Sequence, residues 1–153
     1  MNAELPFVFI TAEAMQEWGA RLGRLLRAGD LLILTGGLGA GKTTLTQGIA
    51  RGLGVRGPIT SPTFVISRTH PSLVAGPPLV HVDAYRLNGV AELDDIDLDT
   101  DLQSAVTVVE WGGGIAESLS EQRLELQLCG DGARTVVLRP FGERFEQLLT
   151  ALR

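Results

Sequence analysis

The chain has 153 residues, of which 44% are hydrophobic and 20% are charged, and it carries a net charge of −5. This length permits one domain with a sizeable core, and the composition is unlike that of disordered chains, which combine low hydrophobicity with high charge. The single cysteine, Cys129, excludes an internal disulfide, and no group of cysteines and histidines has the spacing of a zinc site. We therefore predict one folded domain spanning residues 1–153.

The distribution of charge argues against autonomous nucleic-acid binding. Between Asp83 and Asp101 there are seven acidic residues and one arginine, so most of the negative charge is local. The arginines are scattered, whereas a nucleic-acid binder needs a concentrated basic patch. The first residues contain neither the basic segment nor the apolar run of a secretion signal or a membrane span. We predict a cytoplasmic protein without membrane attachment.

Apolar periodicity and turn residues predict the secondary structure in chain order. The predicted elements are a strand at Pro6–Ile10, a helix capped by Thr11 and closed by Gly29, a buried strand at Leu31–Thr35, a helix from Lys42 to Gly52 or Gly54, strands at Phe64–His70 and Leu79–Asp83, a weak acidic helix at Val90–Leu102, a strand at Ala105–Val109, a hairpin of Leu124–Cys129 and Arg134–Arg139, and a helix from Glu143. The fold class is therefore α/β, with a mixed, mostly parallel sheet flanked by helices and an antiparallel C-terminal hairpin.

A phosphate-binding motif follows the buried strand at Leu31–Thr35. Gly36, four further residues, then Gly41, Lys42 and Thr43 match the P-loop pattern, and a helix is predicted to begin at once. Glycines let backbone N–H groups face a phosphate, and a helix N-terminus favours negative charge. We predict that Lys42 contacts the β- and γ-phosphates of ATP and that the Thr43 hydroxyl binds Mg²⁺. The predicted nucleotide-binding residues of the motif are Gly39, Ala40, Gly41, Lys42, Thr43 and Thr44.

A second Mg²⁺ ligand is expected at the end of a strand next to the motif, because protein-bound Mg²⁺ takes oxygen ligands and few of them from side chains. Asp83 ends one apolar strand and Glu110 ends another, and the strand pattern does not separate these two candidates. His81 lies two residues before Asp83, and His70 ends the preceding strand. For both histidines we predict a structural role with satisfied hydrogen bonds, and no part in catalysis.

Four segments together resemble one protein family. They are LGAGKTTLTQGIARGLG, SPTF at Ser61–Phe64, HVDAYRL at His81–Leu87, and VVEWGGGI at Val108–Ile115. Their order and spacing are similar to those of the TsaE family, the small bacterial P-loop ATPases of tRNA threonylcarbamoyladenosine biosynthesis. The last three segments are more diagnostic than the P-loop, which very many proteins share. One departure is Asp97, where members of the family usually have glycine.

The resemblance implies a function and a set of site residues. It implies an ATPase that supports the TsaD and TsaB proteins, which transfer a threonylcarbamoyl group to adenosine 37 of certain tRNAs. It assigns Thr43 and Glu110 as Mg²⁺ ligands and puts Asp83 either near the attacking water or among the groups that contact the metal's ligands. It also implies that Thr63 faces the γ-phosphate and that Thr11 and Arg134 contact the nucleotide. Tyr85, Arg86 and Trp111 are candidates for coupling the site to the partner.

Two other functions fit the same residues. A small-molecule kinase also places an acid and an arginine after a strand, as Asp83 and Arg86 are placed here, although this chain leaves no length for a second domain. A nucleotide-gated binding module would use ATP only to order the SPTF and HVDAYR segments and to present a partner surface.

Overall fold

The computed structural model describes residues 5–37, 40–59, 67–83, 102–110, 121–130 and 132–152. Within these residues the chain forms seven strands and three helices. In chain order they are β1 (Leu5–Phe9), α1 (Ala12–Leu25), β2 (Leu31–Thr35), α2 (Lys42–Leu53), β3 (Ser67–His70), β4 (Leu79–Asp83), β5 (Val106–Glu110), β6 (Arg123–Cys129), β7 (Arg134–Phe141) and α3 (Glu143–Leu152).

The strands form one mixed sheet in the order β1-β7-β6-β2-β5-β4-β3. Parallel pairs join β6, β2, β5 and β4 at the centre, and antiparallel pairs add β7 and β1 at one edge and β3 at the other. Five of the seven described strands therefore run in the same direction. The predicted α/β fold with a mostly parallel sheet and an antiparallel C-terminal hairpin is confirmed.

The predicted elements agree with the structure to within a few residues where the structure describes them. The strands predicted at Leu31–Thr35 and Leu79–Asp83 have those bounds. Helix α1 ends at Leu25, so the prediction that Gly29 closes it is wrong; Gly29 instead lies in the turn before β2 and donates to the carbonyl of Ala105. The predicted acidic helix at Val90–Leu102 lies outside the described residues, except for Leu102. No described helix has the length and apolarity that a bilayer span requires.

The core lies between the helices and one face of the sheet. Alternate residues of the central strands, such as Leu32, Leu34 and Val108, are fully buried in a cluster with Leu45 and Ile49 of α2. This alternation follows from the pleat, because successive side chains of a strand point to opposite faces. The residues on the other face, Ile33 and Val109 among them, are also buried. Strands covered on both faces explain the continuous apolar runs in the sequence.

Helices α1 and α2 pack backbone against backbone through four glycines. Gly19 and Gly23 of α1 face Gly48 and Gly52 of α2, and a methyl group built on Gly52 would overlap the backbone oxygen of Ala20. Residues spaced four apart lie on the same side of a helix, so each glycine pair forms one smooth stripe. Contacts of Gly48 with Gln16 and of Gly52 with Ala20 show that the two helices run in the same direction. Their N-terminal ends therefore meet at one side of the sheet.

We expect the substitution Gly52→Ala to destabilise the fold by about 1–3 kcal/mol, because the added methyl forces the helices apart, even though alanine favours a helix by about 1 kcal/mol. Gly76→Ala is the matched control, since a methyl at Gly76 meets only the Ser72 hydroxyl and the Val74 side chain, at 3.6 and 3.9 Å. The measurement is the urea midpoint of each variant. Equal midpoints for Gly52→Ala and wild type would show that the close packing is dispensable.

Candidate functional site

Three parallel strands end together at one edge of the sheet. In the register of the sheet, Glu110 of β5 lies between Leu34 of β2 on one side and Asp83 of β4 on the other. The predicted phosphate motif follows directly from the end of β2. In open α/β sheets, ligands bind outside the carboxyl ends of the parallel strands. The topology therefore brings the two candidate carboxylates and the start of α2 to the same edge.

The start of α2 has the backbone geometry that an anion site needs. Gly41 precedes the helix with φ 104° and ψ 17°, a left-handed conformation that suits glycine, and no side chain caps the helix there. Thr43 and Thr44 lie in the first turn and are partly buried. The N–H groups of this turn have no helical acceptors, so they could donate to a phosphate. Ala40 is buried just before them and donates its N–H to the carbonyl of Gly37 at 3.2 Å.

Lys42 folds back over the loop that precedes it. Its ammonium donates to the carbonyl oxygens of Gly36 and Gly37 at 2.8 and 2.9 Å, and the residue is 7% exposed. Burial lowers the pKa of the Lys42 ammonium below its ordinary value, while the negative charges of Glu110 and Asp83 oppose that shift. The amine is therefore held within electrostatic reach of both carboxylates. A phosphate would offer the ammonium a stronger acceptor than a carbonyl oxygen.

Glu110 and Asp83 form the acidic side of the site and are 2% and 7% exposed. The Oε1 atom of Glu110 is buried and accepts no hydrogen bond in the described part of the chain. An unpaired buried carboxylate oxygen is costly, and either a hydrogen-bond donor or a cation would remove that cost. The described residues contain no group of three or more acids, histidines or cysteines suited to a metal ion. Carboxylate oxygens are the type of ligand that Mg²⁺ prefers, and Mg²⁺ usually takes only one or two of them from the protein.

His81 belongs to this site, contrary to the sequence prediction of a satisfied structural histidine. Its side chain is fully buried, and neither ring nitrogen has a hydrogen-bond partner among the described residues. The Nε2 atom lies 3.5 Å from Oε1 of Glu110. His70 is closer to its prediction, because its Nδ1 lies 3.0 Å from the carbonyl of Arg56, although its Nε2 has no partner among the described residues. The signal for His81 was its position two residues before Asp83, which puts both side chains on one face of β4.

Of the two remaining predicted contacts, Arg134 lies near Gly41 of the phosphate motif, and Thr11 lies one helical turn before Met15, which contacts Gly41. Thr11 caps α1 by accepting a hydrogen bond from the N–H of Ala14 at 3.1 Å. One turn later, the Met15 sulfur lies 3.0 Å from the position that a Cβ of Gly41 would occupy, and Nε of Arg134 lies 3.9 Å from that position. The parallel helix pair and the pairing of Phe9 with Arg134 across β1 and β7 produce this arrangement.

Several predicted residues lie outside the described part of the chain. Gly39 and Thr63 are in this group, as are the candidates for partner coupling, Tyr85, Arg86 and Trp111. Their assignments stay predictions. The assignments of Thr11 and Arg134 also stay predictions, as do those of Lys42, Thr43, Asp83 and Glu110, which lie at one edge of the sheet.

Comparisons with known proteins agree on one family. The model for "Threonylcarbamoyl adenosine biosynthesis protein TsaE" matches residues 9–136. The tRNA threonylcarbamoyladenosine biosynthesis protein TsaE of Streptomyces coelicolor is 58% identical over 86% of this chain and 93% of its own length. The protein of the same name from Bacillus subtilis is 40% identical over 82% of this chain and 79% of its own. The crystal structure of Bacillus subtilis YdiB is similar with a TM-score of 0.78 and 33% identity, covering 99% of this chain and 95% of that one.

We expect the substitution Glu110→Gln to lower the pKa of Lys42 further, because it removes the larger of the two attractions that oppose burial. Lys42 is the only lysine of the chain, so ¹⁵N-lysine labelling gives one side-chain ammonium signal to titrate by NMR. Glu146→Gln, on the exposed surface of α3, is the control and should leave that pKa unchanged. A Lys42 pKa that rises or stays constant in Glu110→Gln would contradict the electrostatic coupling.

Proposed function

The chain belongs to the TsaE family and so acts in tRNA threonylcarbamoyladenosine biosynthesis, and from this premise we propose that it does so as a Mg²⁺-dependent ATPase. The observation that carries the proposal is the grouping of Lys42, Glu110 and Asp83 at the carboxyl ends of β2, β5 and β4. P-loop NTPases use the same kinds of group: a lysine that binds phosphate, a carboxylate that binds the metal ion, and a group that positions the water, which here is a second carboxylate. The proposed role is carried out in the cytoplasm.

The nucleotide is held mainly by the start of α2. Backbone N–H groups from Gly39 to Thr44 donate to the phosphates, and the ammonium of Lys42 leaves the carbonyls of Gly36 and Gly37 to bind phosphate oxygens. Thr11 and Arg134 complete the rim of the site and contact the nucleotide beyond the phosphate loop. The proximity of Met15 and Arg134 to Gly41 supports this assignment.

Thr43 and Glu110 hold the metal ion. The Thr43 hydroxyl in the first turn of α2 would supply one oxygen, and the buried carboxylate of Glu110 would supply the other. When bound, Mg²⁺ neutralises phosphate charge as the terminal phosphoryl group is transferred. Lys42 shares that task, and the electrostatic coupling of its buried ammonium to Glu110 and Asp83 supports this role.

Asp83 orients the attacking water. Its carboxylate accepts a hydrogen bond from the water, whose oxygen bonds to the γ-phosphorus while the bond from that phosphorus to the β–γ bridging oxygen breaks. The products are ADP and inorganic phosphate, and the proton lost by the water leaves with phosphate or through Asp83. Burial of Asp83 at the end of β4 keeps the carboxylate at a fixed distance from β5.

Hydrolysis is proposed to depend on the TsaD and TsaB proteins. Lys42 is the only lysine of the chain, so further side-chain cations at the γ-phosphate must be arginines of this chain or groups of a partner. Related NTPases gain about 10³- to 10⁵-fold in rate when a partner supplies such a charge. The resemblance of SPTF and HVDAYRL to the TsaE pattern supports these two proteins as the partners.

We expect Lys42→Ala, Glu110→Ala and Asp83→Ala each to reduce ATP hydrolysis by about 100-fold or more, because each removes a charge that acts on the transferred phosphoryl group or on the water. The assay measures phosphate release by the chain with TsaD, TsaB, Mg²⁺ and tRNA. Glu146→Ala on α3 is the control and should retain the wild-type rate.

Two outcomes of the assay with the partners would contradict this proposal, and a third outcome would replace it. One is wild-type protein that releases no phosphate with both partners present. The other is a non-hydrolysable ATP analogue that supports many rounds of tRNA modification, which would identify ATP as a conformational ligand only. Transfer of labelled γ-phosphate to a small acceptor would identify a kinase instead.

A further inference from the structure

His81 lies beside the proposed metal ligand, Glu110, but has no part in the proposed hydrolysis of ATP. It occupies β4 two residues before Asp83, and its Cα partner on β5 is Val108, two residues before Glu110. Alternate residues of a strand share a face, so the His81 ring lies directly beneath the acidic pair. The separation of 3.5 Å between its Nε2 and Oε1 of Glu110 agrees with that placement.

Burial makes the unpaired state of this ring costly. His81 has no exposed surface, and neither of its nitrogens has a hydrogen-bond partner among the described residues. A buried donor without an acceptor costs about 1–3 kcal/mol, and apolar residues of similar size would fill the same space without that cost. The strand around it is apolar, so a histidine here needs a reason beyond packing.

Oε1 of Glu110 is the complementary group. It is a buried acceptor with no donor in the described part of the chain, and it is within half an ångström of hydrogen-bond distance from His81 Nε2. A small rotation of the Glu110 side chain would close this gap. With its proton on Nε2, a neutral imidazole donates its one N–H to the carboxylate. Only the Nδ1 acceptor then lacks a hydrogen-bond partner among the described residues, and this is the less costly of the two missing hydrogen bonds.

We propose that His81 is a positioning residue for Glu110: its Nε2–H donates to one carboxylate oxygen and orients the other toward the metal ion. Groups that hydrogen-bond to a metal ligand fix its orientation, and their removal typically lowers metal affinity by about 10- to 100-fold. This inference rests on the proposed function, because it requires Glu110 to bind the metal. It adds a residue that contacts neither nucleotide nor metal.

The test measures metal affinity without catalysis. Mn²⁺ replaces Mg²⁺, ADP replaces ATP, and bound Mn²⁺ is counted by electron paramagnetic resonance at one fixed pH. We expect His81→Phe to weaken Mn²⁺ binding by about 10- to 100-fold, with ADP affinity in the presence of a chelator unchanged. His81→Gln, whose amide can donate, should recover most of the loss. His70→Phe removes the other imidazole of the chain and should bind Mn²⁺ as the wild type does.

A second measurement does not depend on His81→Phe. The chain has two histidines, so ¹⁵N-histidine labelling gives the nitrogen signals of two rings only. We expect one ring, assigned to His81 by its loss in His81→Gln, to carry its proton on Nε2 in the complex with Mg²⁺ and ADP. An Nδ1-protonated His81 in that complex would overturn the inference even if His81→Phe failed to fold.

The outcomes separate this inference from the proposed function. If Glu110→Ala lowers Mn²⁺ affinity but His81→Phe does not, the metal site stands and the positioning role is wrong. The positioning role is also wrong if His81→Phe loses affinity for Mn²⁺ and for ADP, measured with a chelator present, by the same factor. General damage to the site would then explain both losses. If Glu110→Ala binds Mn²⁺ as the wild type does, the proposed metal ligand is wrong and the role of His81 falls with it.

Discussion

The parallel register of β2, β5 and β4 is the constraint on which the rest of the site depends. It sets Glu110 between Leu34 and Asp83, so the end of each strand adds one component to the same edge of the sheet. Hydrogen bonds between parallel strands are evenly spaced, and a slip of one residue would turn Glu110 to the opposite face. The fully buried runs of β4 and β5 prevent such a slip because both faces are packed. The acidic pair is thus fixed by the core rather than by a loop.

The glycine-lined contact between α1 and α2 fixes the second side of the proposed site, which is the start of α1. Because the two helices run in the same direction and touch along their backbones, the start of α1 is held beside the start of α2. Met15 then packs on Gly41, and the Arg134 side chain lies close to the same glycine. Helices kept apart by larger side chains would leave this side of the site open. Packing far from the chemistry therefore sets the width of the proposed nucleotide site.

Much of this architecture could be predicted from sequence, because buried strands and glycine-rich turns leave strong local patterns. The bounds of β2 and β4 followed from apolar runs that turn residues interrupt, and the hairpin of β6 and β7 followed from the GDGA turn between them. The cap of α1 at Thr11 followed from its side-chain oxygen. These features depend on short-range interactions, which a single sequence records directly.

What could not be predicted depends on neighbours across the sheet. Residue pattern alone left Asp83 and Glu110 equivalent, since both end apolar strands, and only the TsaE resemblance separated them. His81 was predicted to be a satisfied structural residue because periodicity gives the face of a strand but not the group opposite it. The close contact between the glycines of α1 and α2 could not be predicted, because it depends on how the two helices pack.

The most direct test of the account is a crystal structure of this chain with Mg²⁺ and a non-hydrolysable ATP analogue. We expect a metal ion bonded to the Thr43 hydroxyl and the Glu110 carboxylate, with the Lys42 ammonium moved from the carbonyls of Gly36 and Gly37 onto the phosphates. A nucleotide bound elsewhere, or a metal ion that does not contact Glu110, would contradict it.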